Sequence, residues 1–258
     1  MKAAERQLRI RQMFEGRDFL DLENLCRGLD ASESSVRRDL DVLEGEGMLK
    51  RVYGGAVPVS PPGNSAFDFT VESERSSDEK SRIARVTASL IEDGQTVILD
   101  GGSTVAAVAR ELAARSQGVS RSLHVITNSL PIAETLESSR NIELTLTGGY
   151  LDSRRRVMLG PLCEQMLSLI RADVLIMGIG SVSESGFSNN HTLVVGSEQK
   201  MIEIASRVII VADHTKFGRG AMIPVAQLDA ADTVVSDRGL AAEYVELLRS
   251  KDIDVLLA

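Results

Sequence analysis

Apolar residues recur with two different periods along this chain, and the change of period divides it. Over the first fifty residues they fall three and four apart: Ile10, Met13 and Phe14, then Leu22, Leu25, Cys26 and Leu29, then Val36, Leu40 and Leu43. Each set shares one face of a short helix, so three helices are predicted in quick succession. Asp30-Ala31 leaves a tight turn between the second and third. Ser32 stands where it can cap the third, predicted over Glu33 to Glu44, and Gly45 and Gly47 stop it. Met48-Leu-Lys-Arg-Val-Tyr-Gly-Gly-Ala-Val57 then folds back at Gly54-Gly55 as a small hairpin. A helix-turn-helix followed by a hairpin is a winged-helix plan.

Beyond Val57 the punctuation changes. Pro61-Pro62-Gly63-Asn64-Ser65, followed by acids and serines as far as Ser77, predicts a connecting segment over 58–77. From Asp78 onward strands alternate with helices. The predicted strands are 96–100, 123–127, 142–147, 173–178, 207–212, 232–236 and 253–257; helices cover 79–91, 104–115, 130–138, 161–170, 193–206 and 239–250. Strands that are near-continuous apolar runs, alternating with helices, indicate a mostly parallel sheet covered on both faces. The fold class is therefore α/β: an N-terminal winged helix over 1–57, a linker over 58–77 and a larger parallel-sheet domain over 78–258.

Charge narrows the choice of partners. Lys and Arg number 29 against 37 Asp and Glu, a net charge of −8, so the chain is not basic all over and any nucleic-acid contact must be local. Cys26 and Cys163 belong to no CxxC pair or Cys/His cluster, which removes the case for structural zinc or a disulfide framework. The N-terminal stretch lacks the continuous apolar region of a secretory signal, and the longest apolar runs are too short to span a bilayer. A cytoplasmic setting with no membrane partner, no metal and no cofactor is expected.

The local basic element is the helix-turn-helix. Arg37 and Arg38 stand beside the inward Val36 and Leu40, and Lys50, Arg51 and Tyr53 lie on the hairpin. Ser34 and Ser35, next to the capping Ser32, occupy the first turn, where free amides and the dipole favour a phosphate. A recognition helix presents such positions to the major groove while the hairpin reaches along the backbone. Taken alone, Arg37, Arg38, Asp39 and Asp41 also fit a solvated face of mixed charge. Ser32-Glu-Ser-Ser-Val-Arg-Arg-Asp-Leu-Asp-Val-Leu43 and Gly47-Met-Leu-Lys-Arg-Val-Tyr-Gly-Gly-Ala56 together closely resemble the DeoR family of bacterial transcriptional regulators. The resemblance continues through Lys80, Ile83 and Ala84, Leu99-Asp-Gly-Gly-Ser-Thr104, Thr127-Asn-Ser-Leu-Pro131, Thr147-Gly-Gly149, Gly160-Pro161 and Ala212-Asp-His-Thr-Lys-Phe217, nearly the whole chain. It implies an operator-binding head and a C-terminal domain, similar in fold to ribose-5-phosphate isomerase, that senses a phosphorylated sugar. It also implies a homodimer or homotetramer on double-stranded operator DNA.

The sensing site is legible from residues as well. Gly101-Gly102-Ser103-Thr104 joins a predicted strand to a helix; its glycines let amides approach an anion, and its hydroxyls add donors. By itself the loop also reads as a tight turn whose hydroxyls cap the helix. It is neither a P-loop nor a GxGxxG loop. Many relatives resemble Gly-Thr-Thr here, and Ser103 keeps the hydroxyl without the methyl. Thr127-Asn128, Gly148-Gly149, Gly178, Gly180 and Asp213 through Lys216 fall at the ends of other predicted strands, which in an open parallel sheet line one crevice. Asp100, Asn128 and Asp213 are candidate acceptors for sugar hydroxyls, and the resemblance supports Lys200 and Lys216 as cations for the phosphate. Arg154-Arg155-Arg156 is a distinctive basic run that either reaches the crevice, faces another subunit or is solvated.

The resulting expectation is a repressor of carbohydrate-metabolism genes, not an enzyme, controlled by a phosphorylated sugar. The alternative is a sugar-phosphate isomerase, which needs a placed acid and base. Gly178-Ile-Gly-Ser-Val-Ser183 carries no carboxylate before Glu184, which departs from the acidic loop of such isomerases.

Overall fold

The computed structural model describes residues 3–14, 19–58, 68–115, 122–218 and 220–258, and the change of hydrophobic period marks a change of architecture. The N-terminal unit comprises α1 (Ala3–Met13), β1 (Leu20–Asp21), α2 (Leu22–Leu29), α3 (Glu33–Gly45), β2 (Leu49–Val52) and β3 (Gly55–Pro58). The three helical stripes meet: Ile10, Leu25, Leu29, Val36, Leu40 and Leu43 are buried together with Leu49 and Ala56 of the hairpin. Asp21 caps α2 by accepting from the Asn24 amide at 2.7 Å, and Asp30 ends it in the left-handed conformation with φ 47°. Ser32 departs from the expected cap. It stands at the N-cap of α3, but its hydroxyl lies 3.2 and 3.0 Å from those of Ser34 and Ser35 and makes no capping bond. The hydroxyls satisfy one another, so the start of α3 keeps its positive end towards solvent. β1, too short to carry a period, pairs with β3 and completes a three-stranded sheet.

One polar contact secures this unit from within. The Asp39 carboxylate, 3% exposed, accepts from Arg6 Nε at 2.7 Å and Gln7 Nε2 at 3.1 Å, tying α3 to α1. Removing one member of a buried pair leaves the other desolvated. Asp39→Ala should cost about 1–3 kcal/mol, read as faster hydrogen exchange in α1 and α3 with the large domain unchanged.

The predicted connection begins outside the described residues, which omit 59–67. Its later part is a helix, α4 (Phe69–Glu74), because Asp68 accepts from the amides of Thr70 and Val71 at 2.9 and 3.3 Å. Then follow α5 (Ser77–Ser89), β4 (Thr96–Leu99), α6 (Ser103–Arg115), β5 (Leu123–Thr127), α7 (Leu130–Leu136), β6 (Ile142–Leu146), β7 (Tyr150–Asp152), β8 (Val157–Leu159) and α8 (Pro161–Ser168). The chain continues through β9 (Ala172–Gly178), β10 (Ser181–Ser183), β11 (Gly186–Asn189), α9 (Thr192–Ile204), β12 (Ala205–Val211), β13 (Ile223–Ala226), β14 (Thr233–Ser236), α10 (Ala242–Arg249) and β15 (Asp254–Leu257).

Seven strands form one parallel sheet in the order β15-β14-β12-β9-β4-β5-β6. Strand side chains alternate between two cores. Val174 and Ile176 pack with Ile83, Val108, Leu112 and Ile132 of α5, α6 and α7, whereas Leu175 and Met177 pack with Cys163, Met201 and Leu248 of α8, α9 and α10. Two small antiparallel additions, β7-β8 and β10-β11-β13, were not predicted; their strands are only three or four residues long. The winding reverses between β4 and β9, the place where an open α/β sheet leaves a crevice at its carboxyl edge. The hairpin of the N-terminal unit packs beside that crevice: Val57 shares an apolar cluster with Val157, Leu159 and Leu193, joined by Phe19, Val52, Tyr150 and Val194.

Candidate functional site

The first face is that of α3 and the hairpin. Arg38 is exposed and makes no ion pair among the described residues, whereas Arg37 is held by Glu33 at 2.7 Å one turn earlier. Ser34 is exposed and Ser35 half-buried beside Ser32. Arg51 pairs with Asp41, and its amide donates to Glu44 Oε1 at 2.8 Å, so the hairpin is braced against α3. Tyr53 stands exposed at the hairpin turn. Lys50 turns the other way: its Nζ lies 5.8 Å from the ring centre of Tyr150 in the large domain.

The second face is a cleft of about 980 Å³ at the crevice. Asp100, Gly101, Gly102, Ser103 and Thr104 line it from the β4–α6 loop, Asn128 from the end of β5, Gly178 and Gly180 from the end of β9, and Lys216 from beyond β12. Gly102 takes φ 124°, which turns the loop into α6 without a Cβ penalty, and its carbonyl accepts from the Ala106 amide at 2.9 Å. The start of α6 thus faces the cleft, where its dipole favours an anion.

Five predicted residues do not line the cleft, and each has another task. Thr127 Oγ1 donates to the Leu99 carbonyl at 2.6 Å and accepts from the Ser129 amide, fastening the ends of β4 and β5. Gly148 donates its amide to Met166 Sδ at 3.0 Å. Gly149 has φ 138°, and a Cβ there would lie 2.6 Å from the Leu159 carbonyl oxygen, so it permits the β7–β8 hairpin to close. Lys200 pairs with Glu203 one turn on. Asp213 accepts from the amide of Thr215 at 3.0 Å and from its hydroxyl, shaping the loop that carries Lys216. His214 is likewise structural: its amide and ring both engage Asp237, at 2.8 and 2.9 Å. Burial pushes the Asp237 carboxyl up, but the amides of His214 and Gly239 and the His214 ring outweigh it and hold its pKa below the ordinary value.

Sequence reasoning missed several walls. Lys50 and Val57 enter from the hairpin, Glu72 from α4, Tyr150 to Ser153 from β7 and its turn, and Asn189, Asn190, His191 and Glu198 from β11 and α9. The arginine run divides: Arg154 and Arg155 line the cleft, while Arg156 leaves it for Glu134 at 2.7 Å. Arg155 pairs with Asp152 at 2.9 Å, and His191 Nε2 lies 3.8 Å from the same carboxylate. Lys216 reaches Glu72 at 3.3 Å, and the buried Lys80 donates to the carbonyls of Glu72 and Arg75, so α4 is pinned to the sheet edge. Burial lowers the pKa of Lys80. One signal for Glu198 was available: it sits three residues from both Val195 and Met201, on the buried stripe of α9.

Electrostatically the cleft is mixed. Arg154, Arg155, Lys216, Lys50 and the start of α6 supply positive potential. Asp100 and Glu198 are its buried acids, and burial drives Asp100 up to about 7 against donation from Gly101 and Asn128. Burial, and then the charge of Asp100, raises Glu198 well above the ordinary range.

A helix-turn-helix head whose hairpin forms part of a small-molecule cleft has the layout of a ligand-responsive regulator of transcription. Residues 6–61 match the DeoR-like helix-turn-helix domain and residues 75–238 the DeoR C terminal sensor domain. The HTH-type transcriptional repressor GlcR of Bacillus subtilis is 32% identical over 100% of this chain and 97% of its own. The transcriptional repressor AccR of Agrobacterium fabrum is 33% identical over 91% and 90%, and the glycerol-3-phosphate regulon repressor of Escherichia coli 30% over the full length of both. Among solved structures, ribose 5-phosphate isomerase A from Methanocaldococcus jannaschii covers 55% of each chain with a TM-score of 0.42 and 19% identity. The chain belongs to the DeoR family. It is a DNA-binding transcriptional repressor of that family rather than an enzyme, and no described helix is long and apolar enough to cross a membrane.

Proposed function

We propose that this chain is a cytoplasmic repressor of carbohydrate-metabolism genes whose hold on its operator is set by a phosphorylated sugar in the cleft. One observation carries the reading: Lys50 and Val57 of the wing line the same cleft as the anion-receiving loop Gly101 to Thr104. A ligand there touches the DNA-binding unit directly. Its phosphate is received by the start of α6 and by Lys216 and Arg154, and its presence changes the seat of the wing on Tyr150, Val157 and Leu159. A ligand shifts the equilibrium between operator-competent and incompetent arrangements only by its differential affinity for them, and a shared wall supplies that difference.

In this reading Arg37, Arg38, Ser32, Ser34 and Ser35 meet the major groove, and Arg51 and Tyr53 follow the backbone. Lys50 serves DNA when released from Tyr150. A single small head spans few base pairs, so a homodimer or homotetramer on repeated half-sites is part of the proposal. The test is operator binding at fixed salt, titrated with phosphorylated sugars and with the same sugars unphosphorylated. At least one phosphorylated sugar should change operator affinity about tenfold or more, with its free counterpart inert. Operator affinity that stays constant while the sugar phosphate demonstrably binds would refute the coupling.

A further inference from the structure

The loop at α6 accounts for an anion in the cleft, and two buried side chains of the same cleft make a different chemical demand. Glu198 is 2% exposed on the buried stripe of α9; its Oε1 accepts from Asn189 Nδ2 at 2.9 Å, while Oε2 has no partner among the described residues. Asn128, 1% exposed, hydrogen-bonds to Asp100 and leaves its Oδ1 equally without a partner. All four side chains line the cleft. A buried polar atom left unpaired is costly, so a ligand that pairs with Oε2 and Oδ1 recovers what these atoms otherwise forgo. A phosphate does not pair with Asn128 Oδ1 in either state of Glu198, because an ionised phosphate presents acceptors to an acceptor.

Burial and the charge of Asp100 both favour protonated Glu198, and Asp152, Arg155 and His191 line the same space. An ionised Glu198 needs a donor at Oε2, whereas a protonated one needs an acceptor there. A hydroxyl satisfies both states; an ammonium satisfies only the first. We infer that Glu198 and Asn128 form a second polar subsite that grips hydroxyls of the effector, with Glu198 as the specificity-determining residue. The effector then carries both a phosphate and hydroxylated carbon. This rests on the phosphorylated-sugar reading of the cleft.

The test is calorimetric titration of the full chain with inorganic phosphate, ribose and glucose phosphates, their single-deoxy counterparts and an amino-sugar phosphate. Wild type should bind one hydroxylated sugar phosphate about tenfold or more tighter than inorganic phosphate and than one of its deoxy counterparts. Glu198→Leu should remove that preference while leaving affinity for inorganic phosphate unchanged, and the isosteric Glu198→Gln, which keeps the fold, should retain part of it. A preference untouched in both variants, or an equal loss for inorganic phosphate, overturns the inference. So does tightest binding of the amino-sugar phosphate abolished by Glu198→Gln, which would assign the subsite to an ammonium. Phosphate binding without any preference for hydroxyls sinks this inference alone, whereas no binding of any phosphate sinks the underlying reading with it.

Discussion

Arg38→Ala should weaken operator binding by about 1–3 kcal/mol per head, roughly five- to 150-fold, and leave effector-induced thermal stabilisation intact. Arg37 on the same helix is engaged by Glu33 and Arg51 by Asp41, so among the described residues Arg38 is the guanidinium of this face with no carboxylate to surrender before meeting DNA. If its partner is a phosphate, the loss will be similar for all sequences and the salt dependence will flatten by about one counterion; if a guanine edge, discrimination at one base pair will relax. Lys216→Ala should do the reverse, sparing operator affinity in the absence of effector and abolishing the response to it. Loss of both properties in either variant would contradict the division of labour between the two units. Electrophoretic or anisotropy titrations and thermal melts on the same preparations separate the outcomes.

The thermal stability of the ligand-free chain should fall as pH rises from about 4 to about 7. Burial raises the Asp100 carboxyl from an ordinary 3.8 to about 7, only partly opposed by the Gly101 amide and the Asn128 side chain. Its folded form therefore holds a proton that the unfolded chain has released. Stability from this group is complete below the unfolded pKa and is lost progressively until pH passes the folded one, on the order of 4 kcal/mol in all. Glu198 is raised as well and adds to the same slope. Asp237 acts in the opposite sense: its pKa is held low, so its contribution is present above the unfolded value and disappears as the solution is acidified. Melts between about pH 5 and about pH 8 should show the decline, and Asp100→Asn should reduce it. An unchanged slope in that variant would remove Asp100 as its source.

The hydrophobic periods were enough to place the three N-terminal helices, the hairpin and all seven strands of the large sheet, because each buries a long enough stripe to leave a pattern. Short elements escaped. β1 has two residues and β7 and β8 three each, too few to distinguish alternation from chance, and α4 is set by the cap of Asp68 rather than by any stripe. Among candidate ligand residues, Asp100 through Thr104, Asn128, Gly178, Gly180 and Lys216 come together because strand ends converge by topology. Glu198, Asn189 and His191 could not be placed that way. They approach from α9 and the small antiparallel sheet, whose position over the crevice is a matter of tertiary packing. Lys50 was read for one role from its place on the hairpin; only the docking of that hairpin on Tyr150 reveals the second.

The seam between Val57 and the Val157, Leu159 and Leu193 side chains bears on how such regulators diverge and can be rebuilt. A chimaera that grafts a foreign head at the chain connection would import a new operator preference together with an unmatched wall for the cleft, and its response to a cleft ligand should suffer even though each half folds. Exchanging α3 alone, which lies outside that seam, should retarget the repressor while its response to metabolite survives.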